Sequence, residues 1–326
     1  MTICLLFFLA AVPDQTPAEI LIEEGHWKRA RVLVEASIRE RPNDALANFL
    51  LSQLRHAFGD DASPLPLAEK AVALDSNVAK FHRQVAEAVG VAAQRANPVQ
   101  QLFLARRFHK EIDRALELNP RDTQAWRDRM EFYRLAPGIA GGDRAKAEAA
   151  VRQLTAVDPA EGFMAQAELT PAAAESLYQR AIEARPHHYR ARIALATFYL
   201  DPKHRNLAAA EEQAREAVRI DTERADAYAI LARVYAESAR WSDLDALLEN
   251  AERAVPDDLV PYYRAAEALL ESHRDPQRAR HYFERYLSSP AEGNEPTLDD
   301  ARRALASMNE GARRSEGPPR QSIHRP

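Results

Sequence analysis

Between residues 225 and 254 the apolar side chains Tyr228, Leu231, Ala232 and Tyr235, and after a polar break Leu244, Leu248 and Ala251, fall on single helical stripes. The pattern predicts two amphipathic helices, Ala225 to Glu237 and Trp241 to Ala254. Neither can bury its stripe alone, so the pair must stack on neighbours of the same kind. Helix-ending turns at Thr222, Pro256 and Pro290 are 34 residues apart, and the same interval separates Pro42 from Ser76. Intervals of 44 and 39 residues then end at Pro120 and Pro159, and one of 27 ends at Pro186. The longest predicts two extended helices broken at Asn97 and Pro98, because proline removes a backbone donor and restrains the residue before it. The next carries an extra loop at 136–143. The shortest has a first helix cut down to about 161–169, followed by a helix that Thr170 caps and Pro171 opens. Thr297 and Asp300 form a capping-box pattern for a closing helix reaching about Met308.

Counted from Ala225 as position 1, Tyr228, Leu231, Ala232, Tyr235, Leu244, Leu248, Ala251 and Pro256 stand at positions 4, 7, 8, 11, 20, 24, 27 and 32. This series resembles the tetratricopeptide repeat (TPR), with Ala232 and Leu244 where small residues are usual. The resemblance implies an all-α fold: a right-handed superhelical solenoid of antiparallel helix pairs, about eight of them, plus a capping helix. Over residues 78–186 a second resemblance appears. GVAAQ at 90–94, LARRFHKEIDRALELNP at 104–120 and the turn LAPGIAGGDRAKA at 135–147 are similar to a group of bacterial TPR proteins. It implies architecture and a bacterial origin.

Composition agrees with helix. Glycine is scarce, at 10 in 326 residues, and charged residues make up 29%. The length does not require two domains, since stacked repeats contact only their neighbours. A net charge of −5 gives no global attraction to nucleic acid or to an anionic membrane. Residues 1–18 differ from the rest: an unbroken apolar run at 3–12 precedes Pro13, with small-residue cleavage positions near Ala11 and Ala18. This reads as a signal peptide and predicts export to a periplasm or medium; the chain is cytoplasmic if the run is not a signal. The run is too short to span a membrane. Cys4, the only cysteine, lies within it, so cleavage leaves no thiol for disulfides, metals or nucleophilic attack. The solenoid is assigned to 19–308, and 309–326, rich in Pro, Gly and Arg without apolar periodicity, reads as a disordered, mildly basic tail.

Candidate chemistry is sparse. The ten histidines show no metal-ligand spacing, and His187 and His188, adjacent, do not share a helix face. No nucleophile elbow occurs, and the acidic residues alternate with arginine as solvated ion pairs do. Gly138, Gly141 and Gly142 suggest a phosphate cradle, but Asp143 and Arg144 follow where a P-loop needs Lys and Ser or Thr, so the loop reads as a turn with Asp143 capping the next helix. No cofactor, metal or catalytic residue is expected. Trp126, Tyr133, Tyr199, Tyr228 and Tyr235 match packing positions.

The TPR resemblance instead places binding residues on the concave face of each first helix, near repeat positions 2, 5, 9, 12 and 13. These positions hold, among others, Phe49, Glu131, Ile193, Asp226 and Glu267. They also hold Arg127, Arg134, Arg190, Arg233 and Tyr263, which are expected to form a groove site for an acidic, carboxylate-bearing protein or peptide segment, because arginine presents a planar fork of donors. The expected function is therefore a non-enzymatic scaffold that binds a protein or peptide partner, not nucleic acid. The alternative is a periplasmic accessory protein holding a small solute for a transport system.

Overall fold

The computed structural model describes residues 15–59, 63–293 and 295–315, and every regular element among them is helical. The apolar run with Cys4, and most of the tail, lie outside the described residues. Eight antiparallel pairs follow one another: α1 (Pro17–Glu24) with α2 (Trp27–Glu40), α3 (Ala45–Phe58) with α4 (Leu65–Leu74), α5 (Ala79–Gln94) with α6 (Pro98–Leu118), and α7 (Thr123–Leu135) with α8 (Arg144–Val157). The series continues with α9 (Pro159–Leu169) and α10 (Ala174–Ala184), α11 (Tyr189–Leu200) and α12 (Leu207–Ile220), α13 (Ala225–Glu237) and α14 (Trp241–Ala254), and α15 (Val260–Glu271) and α16 (Pro276–Leu287). A last helix, α17 (Leu298–Ser315), packs on α16. The architecture is a TPR-like helical solenoid.

The helix starts follow from local chemistry. Asp44, Asp122, Asp143, Asp158, Asn206 and Asp275 each accept a first-turn N–H, satisfying a donor that the helix leaves orphaned. Thr297 and Asp300 exchange the reciprocal bonds of a capping box at 2.7 and 3.1 Å. Thr170 differs from expectation. Its side chain makes no cap bond, and Pro171–Ala173 forms a 3-10 turn before α10 begins at Ala174. The backbone closes this turn itself, through Ala173 N–H to the Thr170 carbonyl at 2.9 Å.

Repeat position 4 has a polar duty as well as a packing one. The Tyr228 hydroxyl donates to the Thr222 carbonyl at 3.1 Å, and the Trp126 indole N–H donates to the Pro120 carbonyl at 2.9 Å. Asn48 to Pro42 and Arg192 to Pro186 repeat the bond with the same separation of six residues. Each ties the turn between repeats to the helix that follows it and occupies a carbonyl left free at a helix end. The core is a series of clusters strung along the stack. The largest centres on α13, where ten residues are buried between α11, α12, α14 and α15.

Candidate binding surface

The first repeat reaches across to the last. Gly25, at φ 90°, turns the chain between α1 and α2 in the left-handed region that favours glycine, and α2 then starts against the C-terminal repeats. Lys28 Nζ donates to the Pro290 carbonyl at 2.9 Å and to the Asp257 carbonyl, and pairs with Glu292 at 3.2 Å. The Lys28 backbone N–H donates to the same carboxylate at 2.9 Å. Arg29 holds Asp257 at 2.7 Å. These partners lie 228 to 264 residues apart in the chain, so the superhelix closes on itself.

Closure borders an open-mouthed cavity of about 860 Å³ between the α1–α2 corner, α11, α13, α15 and Glu292, Gly293, Glu295 and Pro296. Its apolar walls include Ile193, Leu200, Ile230 and Val260. Its polar lining is acidic: Glu23, Glu24, Asp201, Glu223, Asp226, Asp258, Glu292 and Glu295 stand against Arg224, Arg233 and Arg264. Burial pushes Asp258 up to about 6, despite the Val260 N–H it accepts, and pushes Glu292 up to about 7 against the pull of Lys28. Burial likewise raises Asp226, against the nearby charges of Arg224 and Arg264.

The five residues expected to form an arginine groove are dispersed and engaged. Arg127 (α7) pairs with Glu168 and stands 3.8 Å from Glu161, both on α9, and Arg190 (α11) meets Glu161 at 3.4 Å. Arg134 pairs with Glu131 of its own helix at 3.5 Å. Arg233 holds three carboxylates, Glu237 at 2.9 Å, Glu267 at 3.4 Å and Glu271 at 2.5 Å. Tyr263 is buried against Phe283 and Tyr286, beneath the groove rather than on it. Thus the fold brings together Arg127 and Arg190, through Glu161, while Arg233 lines the cavity at the closure.

Glu161 is the hub of that cluster. Burial would raise its carboxyl, but a hydrogen bond from His188 at 3.1 Å and the charges of Arg190 and Arg127 outweigh it and hold the group at about 2. His188 Nδ1 accepts the Ala191 N–H at 3.2 Å, which assigns the proton to Nε2, facing Glu161. His188 is thus a buried helix cap. Glu168 differs: burial and neighbouring Glu131 raise it in spite of Arg127.

A second recess of about 620 Å³ opens at the far end of the long α5–α6 pair, roofed by the loop at 136–140. Phe108 stacks on Phe132 at 4.8 Å in its floor, and Leu104 and Leu135 add apolar surface. Around it Phe103, Leu135 and Ile139 are exposed. Asp128 lies in its wall 3.6 Å from Arg83, raised by burial to about 7. The glycine loop is a 3-10 turn, Gly138–Ala140, after which Asp143 caps α8. Among the described residues no group of three His, Cys, Asp or Glu side chains converges to hold a metal ion.

No family model and no curated protein matches the chain. Solved structures do. The chain is similar to yeast Tom70, at 14% identity with a TM-score of 0.57, over 94% of this chain and 66% of that one, just under two thirds of its length. It is also similar to a human IFIT1 dimer with PPP-AAAA, at 13% identity and a TM-score of 0.50, over 92% of this chain and 74% of that one. A thermophilic TPR protein of Thermus thermophilus, TTC0263, shares 23% identity over 55% of this chain and 94% of its own, with a TM-score of 0.48. At these identities the likeness concerns the fold alone. In class, the fold is a TPR-like helical repeat.

Proposed function

We propose that the chain is a non-enzymatic scaffold that binds a protein segment along its concave surface. The observation that carries this reading is the closure of the superhelix by Lys28 and Arg29, which adds a second cavity to the recess at α5–α6. An extended segment can place side chains in both, as peptides do on other grooved scaffolds. The acidic lining of the cavity does not favour a phosphate backbone there. Where the partner is acidic, its carboxylates must exchange with the chain's own at Arg127 and Arg190. Glu168, already raised, is the carboxylate that Arg127 gives up most readily.

Affinity capture with the full chain, beside a variant carrying Arg127→Glu and Arg190→Glu, tests both parts. A polypeptide held by the parent and lost by the variant supports the scaffold and the arginine exchange; retention by both removes the arginines from the account. A parent that captures no polypeptide overturns the scaffold reading. The alternative, a holder of small solutes, draws on the same cavity. Export is proposed with it. Ala18 lies in α1 and is buried, so cleavage near Ala11 keeps that helix whole, whereas cleavage near Ala18 removes its first residues. An envelope fraction whose mature chain begins after Ala11 agrees with this; an intact Met1 in the cytoplasm does not.

A further inference from the structure

The cavity bordered by the first repeat is over-supplied with carboxylates, even after its internal pairs are counted. Glu292 is matched by Lys28, and Glu223 stands 3.9 Å from Arg29. Of the arginines on the other side, Arg233 is committed to three glutamates and Arg264 to Glu267 at 2.9 Å, while Arg224 lies over the Tyr189 ring at 4.2 Å and reaches no described carboxylate at ion-pair distance. Asp226 is left over. It sits on the first turn of α13, exposed and lining the cavity, with the charges of Arg224 and Arg264 near it but no arginine or lysine within ion-pair distance among the described residues.

A second feature is independent of the acidic lining. His26 lines the same cavity and is only 2% exposed, yet its Nε2 makes no hydrogen bond. The Glu223 carboxylate is 4.0 Å away, beyond hydrogen-bond range. A buried imidazole nitrogen left without a partner costs free energy, and in the tautomer that leaves Nε2 bare an incoming N–H removes that cost. A bare imidazole acceptor beside carboxylates suits a cation that carries N–H donors, an organic ammonium. The walls complete the description: Ile193, Leu200 and Ile230 offer an apolar track beside the carboxylates, the arrangement that suits an ammonium group on a methylene stem.

We propose that this cavity binds a ligand through a primary ammonium group, with Asp226 as the counter-charge, His26 Nε2 as a further acceptor and the aliphatic wall against the ligand's stem. The same chemistry is carried by a free polyamine and by a lysine side chain of a bound segment. The inference rests on reading the concave side as a ligand-binding surface, and it names what one part of that surface takes.

Titration calorimetry at low salt with the full chain decides it, using spermidine as one probe and a short lysine-bearing peptide as the other. Three proteins are compared: the parent, Asp226→Asn, and Glu117→Gln, a neutralisation on the exposed face of α6. Asp226 makes no hydrogen bond that the fold needs, and circular dichroism confirms that its variant is folded. The expected result is binding of at least one probe that weakens with salt, falls about tenfold or more in Asp226→Asn, and is unchanged in Glu117→Gln. Spermidine alone binding assigns a free polyamine; tighter binding of the peptide assigns a partner's lysine. Binding of neither probe, or equal binding by parent and Asp226→Asn, overturns the proposal. Polypeptide capture without ammonium binding would leave the scaffold standing and remove only this inference. Spermidine binding without any captured polypeptide would do the reverse.

Discussion

The two recesses on this solenoid are built by opposite means. The one at α5–α6 is local: residues 83 to 140 supply nearly all of it, and its size comes from two lengthened helices and an inserted loop. The cavity at the closure is global, made by residues near 25 meeting residues near 225, 258 and 292. Their linings differ accordingly. The local recess has a stacked aromatic floor and exposed Phe103, Leu135 and Ile139 about it, whereas the charged lining of the global one is mostly carboxylate, and Lys28 and Arg29 tie its ends together. One solenoid thus offers an apolar site fixed by its core and a charged site fixed by ion pairs, and the two should fail under different perturbations.

The largest effect is expected in the local recess. Phe108→Ala removes a floor residue stacked on Phe132 and should cost about 3 kcal/mol in denaturant unfolding, while leaving ammonium binding in the cavity at the closure unchanged. Loss of both together would mean that the two regions are one cooperative unit. Next comes Glu161, which lies between them. Its carboxyl is held near 2, below the ordinary 4.5, so it contributes stability that is fully present above the ordinary value and lost as the pH falls towards 2. Discounted for solvent screening, the gap is worth about 2 kcal/mol. Glu161→Gln should therefore flatten the acid limb of a thermal-unfolding profile and narrow its difference from the parent below pH 3; an unchanged acid limb would remove Glu161 from the account.

Lys28→Met attacks the closure itself. Glu292 is raised above its ordinary value, so its ionisation costs stability as the pH climbs through about 7. Without Lys28 that cost grows, and the variant should lose about 1 to 2 kcal/mol at pH 8 and less at pH 5, where Glu292 is protonated. An equal loss at both pH values would show that Lys28 acts through packing and not through charge. The smallest effect is expected at Ile139, which is 85% exposed beside the local recess. Ile139→Ser should change stability by less than about 0.5 kcal/mol, so any loss of a captured polypeptide reports on the surface alone.

Much of the fold was legible along the chain. The 34-residue spacing and the stripes of Tyr228, Leu231 and Tyr235 gave α13 and α14 at their observed ends, and Asp143 and Thr297 cap helices where the pattern placed them. The site was less so. Repeat position alone puts Arg127, Arg190 and Arg233 in the groove, but an ion pair depends on what the next repeat brings alongside. One signal was present: one full repeat of 34 residues beyond Arg233 is Glu267, so there the repeat period itself placed a carboxylate beside the arginine. Tyr263 was assigned by the same positional rule, which takes no account of how α16 presses Phe283 and Tyr286 over it. Closure had no such signal. Lys28 and Glu292 are 264 residues apart, and their meeting depends on the summed curvature of every repeat between them.

Closure of the first repeat on the last is open to a direct test, a distance between the two ends. Spin labels on Val32→Cys in α2 and Glu284→Cys in α16, in a Cys4→Ser background, report the separation of the first and last repeats in solution. A single narrow distance distribution that broadens when Lys28 is replaced by Met is the predicted result. A broad distribution in the parent, unchanged by Lys28→Met, would contradict it and leave the cavity without a wall.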